Sequence, residues 1–382
     1  MPKVCVIGGG IIGSWTALHL AEAGAETTLL EQFPLPHTRG SSHGASRAFR
    51  FLGDETMDRL DYSLERWQAL EQLVGERLFL RTGLLNFGPV GDPWLTRHLG
   101  ILEDAGKPYD RLDAATIRAR FPVLSYPDEW EAAWDPNGGV LFAHRCLAAV
   151  QARFRASGGT VLNARAEAIH EGADGAVDVS IRPGFDEPAE SLRVDRVVVA
   201  CGPWTSELVP DLRPLLRTTA IPVTYWRDDS GECSAAKGFP ILYNARLTGI
   251  YALPSCEYPG LVKVLYHDGP EAAPDARDVP DRQPYVDKVS AYVRTHLPAL
   301  DHRAPAIEES CMYTLTPDDE PILDRFGAGI VVGCGFSGSG FKHSPATGRM
   351  LAALALDEEA GLPEGYQLTK YALARFRAGD TD

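Results

Sequence analysis

The chain contains no run of about eighteen consecutive apolar residues, so the sequence predicts no membrane-spanning helix. Positive charge is in deficit, with 37 Lys and Arg against 52 Asp and Glu and a net charge of −15 at pH 7. That balance argues against general binding to nucleic acid or to an anionic membrane surface. A negatively charged small ligand would need a local cationic pocket. Seven cysteines, at positions 5, 146, 201, 233, 256, 311 and 334, stand singly with no CxxC pair. An odd, scattered set points to free thiols over a disulfide framework or zinc site, and no metal site is expected. An apolar strand begins almost at Met1, which leaves no room for a signal peptide or transit sequence. The apolar fraction of 45% over 382 residues is ordinary, and suffices for a large core in two or three domains' worth of chain.

The stretch MPKVCVIGGGIIGSWTALHLAEAGAETTLLE organises the rest. Val4, Val6 and Ile7 predict a buried strand, and Gly8, Gly10 and Gly13 fall in the GxGxxG spacing where strand turns into helix. The first glycine permits the sharp turn, the second lets backbone approach a pyrophosphate, and the third lets helix pack closely on sheet. The helix start offers unpaired N–H groups to phosphate. A helix over 11–23, capped by Gly24, and a strand over 27–30 ending at Glu31 complete the unit, with the acid placed to accept hydrogen bonds from a ribose. This stretch alone leaves FAD and a nicotinamide cofactor equally open.

The next segment, QFPLPHTRGSSHGASRAFRF, is broken by Pro34, Pro36, Gly40 and Gly44 and carries Arg39, His43, Arg47 and Arg50 without a compensating acid. Ser41, Ser42 and Gly44 are phosphate-loop residue types. A helical turn there would bring Arg47 and Arg50 to nearly one face. Apolar residues recurring at three and four mark a helix over 55–74. Strand-like LFLRTGLLNFG and helices near 93–105 and 113–120 follow. A helix over 143–156 and a strand over 160–164 come after Gly138-Gly139, and VDRVVVACGPWT predicts a buried parallel strand ending at Gly202.

From 215 the chain is again sheet-rich, with TTAIPVTYW, a strand ending at Tyr251, a turn through Tyr258-Pro259-Gly260, and LVKVLYH. In the last run Val262, Val264 and Tyr266 face one side, and Leu261, Lys263, Leu265 and His267 the other. A lysine on an apolar face is costly to bury without a partner, so it either snorkels at a sheet edge or serves the chemistry. A helix over 284–296 closes this part. The final block has a strand over 330–333, the glycine-rich turn GCGFSGSGFK with Gly335, Gly338 and Gly340, and a helix through Leu356. Such a turn stabilises developing negative charge, which a reduced isoalloxazine carries and a nicotinamide does not. The expected organisation is an α/β (α+β overall) chain in which a Rossmann-like FAD-binding domain (1–83, 138–214, 304–382) carries a sheet-rich substrate domain as insertions (84–137, 215–303).

The chain resembles the flavin-dependent secondary amino-acid oxidases of the D-amino-acid oxidase superfamily, of the sarcosine oxidase and L-pipecolate oxidase type. The resemblance is carried by VIGGGIIG, EQFPLPHTRGSSHGASRAFR, YALPSCEYPGLVKVLYHDG, ESCMYTLTPDDEPILDR and GCGFSGSGFK. It implies FAD, held by Gly8, Gly10, Ile11, Ile12, Gly13, Glu31, Gln32, Arg39, Ser42, His43, Gly202, Gly335, Gly338, Gly340 and Lys342, with Cys311 as a covalent thioether site. It implies that Arg50 and Lys342 clamp a substrate carboxylate. Arg47 would be a cation near the flavin ring, Lys263 the lysine for reaction with dioxygen, and Tyr251, His267 and Tyr313 pocket residues that orient the substrate and tune its amine. The reaction implied is oxidation of a small secondary or N-methyl amino acid to an imine, with dioxygen reduced to hydrogen peroxide. The expected partners are that substrate and dioxygen, for a monomer. The terminus GDTD lacks an SKL-like address, which gives a cytoplasmic expectation. Three alternatives are a flavin dehydrogenase with another electron acceptor, a nicotinamide-dependent reductase and a flavin-binding protein without turnover.

Overall fold

The computed structural model describes residues 1–184 and 187–376. The carboxyl-terminal GDTD, and with it the end of the segment 304–382, lies outside the described residues. The architecture is built on two large sheets. The first has six strands in the order Ile322–Arg325, Ile330–Cys334, Arg196–Val199, Lys3–Ile7, Glu26–Glu31, Thr160–Asn163. Its pairings are parallel except the one between Ile322–Arg325 and Ile330–Cys334. A parallel sheet must be covered on both faces, which explains why RVVV is apolar throughout. Val6, Leu29, Val198 and Val331 pack under the helices Ile11–Glu22, Ala143–Ala156 and Gly340–Leu356. Cys5, Ile7, Val197 and Val332 pack instead against Val177, Val179 and Ile181 of a three-stranded antiparallel sheet over 165–194. The sequence reading had not distinguished that small sheet.

Close packing at the first turn depends on Gly13. A Cβ there would lie 1.9 Å from the carbonyl oxygen of Gly8, so helix Ile11–Glu22 can sit on the turn only without a side chain at this position.

The second sheet has eight strands in the order Ile307–Leu315, Arg217–Arg227, Leu261–Tyr266, Ile250–Leu253, Ile241–Asn244, Leu84–Pro89, Trp130–Asp135, Asp110–Leu112. One face packs on helix Gln283–His296, with Val262 and Val264 meeting Val286, Val289 and Val293. On the other face Leu265 meets Ile221, Val223 and Cys311. The alternation expected around Lys263 is therefore present. Its strand lies inside the sheet, between two partners, so the lysine does not snorkel at an edge.

Three local expectations are corrected. Arg47–Phe49 is a short strand paired with Gly139–Leu141, not a helical turn. The side chain of Phe49 decides this, because it is fully buried edge-on against Phe51 and Phe79. Tyr251 lies within the strand Ile250–Leu253, which starts after Gly249 (φ +74°), rather than ending one. Ile307–Leu315, grouped by the sequence reading with the nucleotide segments, is the edge strand of the eight-stranded sheet, and the chain enters the six-stranded sheet only at Ile322.

Candidate active site

The ends of the parallel strands and the two glycine-rich turns enclose a cavity of about 520 Å³. Gly8, Gly10, Ile11, Ile12, Glu31, Gln32, Ser42, His43, Gly202, Gly335, Gly338 and Gly340 all line it, together with Arg47, Cys311 and Tyr313. Its chemistry fits a dinucleotide. The N–H groups of Ile12 and Gly13 have no carbonyl one turn back to bond, and the N–H of Ile11 donates to Ser42 Oγ at 2.9 Å. The buried Glu31 carboxylate ends the second strand and accepts from the N–H groups of Gly9 (2.7 Å) and Phe33 (2.9 Å). Gly10 heads the helix at φ −67° and ψ 179°, with a Cβ position that meets only Ser42 Oγ at 3.2 Å, so backbone faces the cavity. FAD fits this donor set: backbone N–H for phosphate, a carboxylate for a ribose, and room for a ring beside the second turn.

A smaller cavity of about 90 Å³ adjoins the first. His43, Arg47, Cys311, Tyr313, Gly338 and Phe341 line both. Arg50, Tyr251, Lys263, His267 and Lys342 line only the smaller one. Residues from positions 43 to 342 thus converge on a single space because the sheet, the short strand at Arg47 and the helix starting at Gly340 meet there.

Four cations surround that space, and each is held differently. Arg50 lies over the Tyr243 ring at 4.2 Å and donates to Leu52 O (2.7 Å) and Tyr243 Oη (3.2 Å), which leaves guanidinium N–H capacity for a carboxylate. Lys342 is buried and paired with Asp54 at 3.1 Å, and burial pushes its ammonium down to about 8. Arg47 is tied to the carbonyl oxygens of Ser41, His43 and Ser46, with Nη2 3.8 Å from Cys311 Sγ. Lys263 is buried, donates to Ser46 O and Oγ at 3.2 Å each, and lies 3.7 Å from Glu257. Burial lowers its affinity for the proton.

The polar wall opposite is neutral. Tyr251 and Tyr313 hydroxyls are 3.2 Å apart, and Tyr313 Oη is 3.1 Å from His267 Nδ1. Burial pushes His267 down to about 4, so its imidazole is uncharged at neutral pH. Gly338 (φ +80°) closes this wall: a Cβ there would come within 2.7 Å of the His267 ring and 3.0 Å of Tyr313.

Arg39 is not brought to either cavity. Its guanidinium turns outward to Asp278 Oδ2 at 3.0 Å, which corrects its placement among the cofactor residues. Gly13 lines neither cavity, and its lack of a side chain is what lets the helix sit on the turn. The sequence reading missed Ser46, Asp54, Tyr243, Glu257 and Glu309. Asp54 and Glu257 stand in segments that read as polar turns, and only the long-range contacts to Lys342 and Lys263 give them meaning. The strand ILYN that bears Tyr243 carries no distinguishing pattern.

Such a site on such a fold defines a dinucleotide-dependent oxidoreductase with a buried cationic pocket beside its cofactor crevice. Residues 3–354 match the family described as FAD dependent oxidoreductase (DAO), and the chain belongs to that family. It is similar to the peroxisomal sarcosine oxidase of Homo sapiens, with 38% identity across 97% of this chain and 95% of that protein. It is also similar to the monomeric sarcosine oxidase of an Arthrobacter species (strain TE1826), at 29% identity over 92% of each chain. Among solved structures, the open form of NikD, an unusual amino acid oxidase essential for nikkomycin biosynthesis, superposes with a TM-score of 0.77. That match covers 96% of this chain and 97% of the other at 24% identity, and speaks for the fold. Among the described residues, no helix is long and apolar enough to cross a membrane.

Proposed function

We propose that this chain is an FAD-dependent oxidase of a small secondary or N-methyl amino acid, sarcosine or a similar compound. The observation that carries this reading is the adjoining of the two cavities, with Arg50 and Lys342 lining the smaller and Cys311 and Arg47 shared between them. When bound, FAD supplies a two-electron acceptor for the C–N bond that dioxygen can regenerate.

The protein's part is binding, orientation and field. Arg50 offers planar N–H donors and Lys342 a point charge, and together they hold the carboxylate of the amino acid. Tyr251, Tyr313 and the uncharged His267 orient the amine, and none of them adds a positive charge that would oppose it. Phe341, Leu265 and Val223 take up the apolar carbons. Lys263, a buried cation with no competing solvent, stabilises the negative charge that develops as dioxygen is reduced to hydrogen peroxide. Cys311 is the thioether site for the flavin, a role supported by its thiol lining the larger cavity beside Arg47. The six-stranded sheet with its helices serves the cofactor and the eight-stranded sheet, from Leu84–Pro89 to Ile307–Leu315, walls the substrate cavity, in a chain that acts as a monomer.

The test is anaerobic. Sarcosine or L-pipecolate should bleach the visible absorbance of the holoenzyme under argon, and air should restore it with release of peroxide. A flavin bleached by the amino acid but restored only by another electron acceptor would make the protein a dehydrogenase. A flavin unmoved by the whole panel would remove the reading.

A further inference from the structure

Lys263 is not simply a buried cation. It ends a row of buried polar groups that leads toward the surface. Glu257 Oε1 lies 3.7 Å from Lys263 Nζ and, among the described residues, accepts no hydrogen bond. The Glu257 side chain is only 3% exposed, so a bare oxygen in that position is aimed at the ammonium. Its other oxygen accepts from Tyr225 Oη at 2.9 Å. The same hydroxyl lies 3.3 Å from Glu309 Oε2, and Glu309 Oε1 accepts from Tyr258 Oη at 2.8 Å. Tyr225 is fully buried, whereas Glu309 and Tyr258 are partly exposed.

Two carboxylates converge on one tyrosine hydroxyl, which has a single proton to give. If both were ionised, one would face a lone pair, an arrangement that is costly away from water. A proton arriving at the partly exposed Glu309 relieves this, since Glu309 can then donate to Tyr225 while Tyr225 donates to Glu257. The row then has a direction, from the surface inward to Lys263. The other titratable groups around Lys263 are Arg47, which disfavours its charge, and Cys311 and Glu309, which favour it along with Glu257.

We propose that Glu309, Tyr225 and Glu257 form a proton path ending on Lys263, which supplies the proton consumed as dioxygen is reduced; this rests on the oxidase reading above. The reaction balances as follows. The substrate loses a hydride and an amine proton, while peroxide gains two electrons and two protons. The electrons and one hydrogen come by way of the cofactor, and the amine proton leaves to solvent. The remaining proton is drawn along the path: an N–H bond of Lys263 breaks as an O–H bond of peroxide forms. Tyr225 passes its proton to Glu257 while Glu309 restores the tyrosine hydroxyl. Glu257, now a carboxylic acid, turns its O–H to Lys263 across the 3.7 Å between them and restores the ammonium, becoming a carboxylate again. A solvent proton restores Glu309.

The experiment reduces the holoenzyme with light and EDTA, so that no amino acid is needed, then mixes it with oxygenated buffer. Reoxidation of Tyr225→Phe should be slower than wild type by about 100-fold or more, the lower end of the range for a lost proton-transfer group, with a solvent deuterium effect larger than that of wild type. Should that variant not fold, Glu309→Gln at the exposed end carries the same expectation. Infrared spectra give a readout apart from turnover: a carboxyl-group band that disappears in Glu309→Gln and shifts in Tyr225→Phe, because the Tyr225 hydroxyl lies on that carboxyl group. Reoxidation within about twofold of wild type, with no added deuterium effect, would overturn the path. Failure of the substrate reading would leave this measurement intact, because light reduces the enzyme.

Discussion

Lys342 Nζ lies 3.1 Å from Asp54 Oδ2, and the same oxygen is 2.9 Å from His343 Nε2. The carboxylate that steadies Lys342 is thus shared with a histidine that burial pushes down to about 4, so at neutral pH Asp54 has one full cation to balance. Burial also lowers Lys342, to about 8. The ammonium is the form that holds a carboxylate, and it is lost as pH rises. Binding of a simple carboxylate such as propionate, read from the flavin absorbance, should therefore be constant below about pH 8 and weaken above it. In Asp54→Asn the ammonium loses its partner and the break should move to lower pH. A break that stays in place in Lys342→Met would assign it to another group.

Arg50 is fixed by the Tyr243 ring and two hydrogen bonds, yet it lines only the smaller cavity. Arg50→Ala should weaken the same carboxylate by about 10- to 100-fold, the range for a hydrogen bond to a charged group. Flavin content should be unchanged. Loss of flavin with normal affinity in the remaining holoenzyme would place Arg50 in the cofactor site instead.

Cys311 Sγ sits 3.6 Å from Ser41 O and 3.8 Å from Arg47 Nη2. The thiol lines the larger cavity, within reach of a flavin ring seated there. If the flavin is linked there, acid precipitation should leave it with the pellet in wild type and release it in Cys311→Ala. Flavin that stays with the Cys311→Ala pellet would move the linkage elsewhere.

The parts of the fold that read most directly from sequence are those where one local rule decides. The GxGxxG turn, helix Ile11–Glu22 and strand Arg196–Val199 follow from glycine geometry and from burial on both faces. The side alternation around Lys263 was legible because period-two patterning is intrinsic to a strand. The residues around 47–50 were not, because Phe49 is placed by Phe51, Phe79 and the strand at 139–141, contacts that no window of sequence contains. The same holds for Asp54 and Glu257. An acid in a turn reads as solvated, and only the fold reveals that each faces a buried lysine. Arg39 erred in the opposite direction: its loop is at the site, but a long side chain on the loop's outer side finds Asp278.

Gly338 links the second glycine-rich turn to the neutral wall of the pocket. Its φ of +80° is in the left-handed region, so any side chain there is strained before contacts are counted. The added carbon would also press on His267 at 2.7 Å and Tyr313 at 3.0 Å, and both rings are hemmed in by Tyr251. Gly338→Ala should therefore cost about 1–3 kcal/mol in stability, measured by denaturant unfolding of the holoenzyme. It should also raise the KM for the amino acid more than it changes flavin content, because His267, the ring most closely pressed, lines only the smaller cavity. Gly361→Ala is the matched control, since a Cβ there meets nothing within 4 Å and should leave both quantities unaltered. If Gly338→Ala lost stability but kept its KM, the turn would serve the fold alone and the His267–Tyr313 pair would not need it.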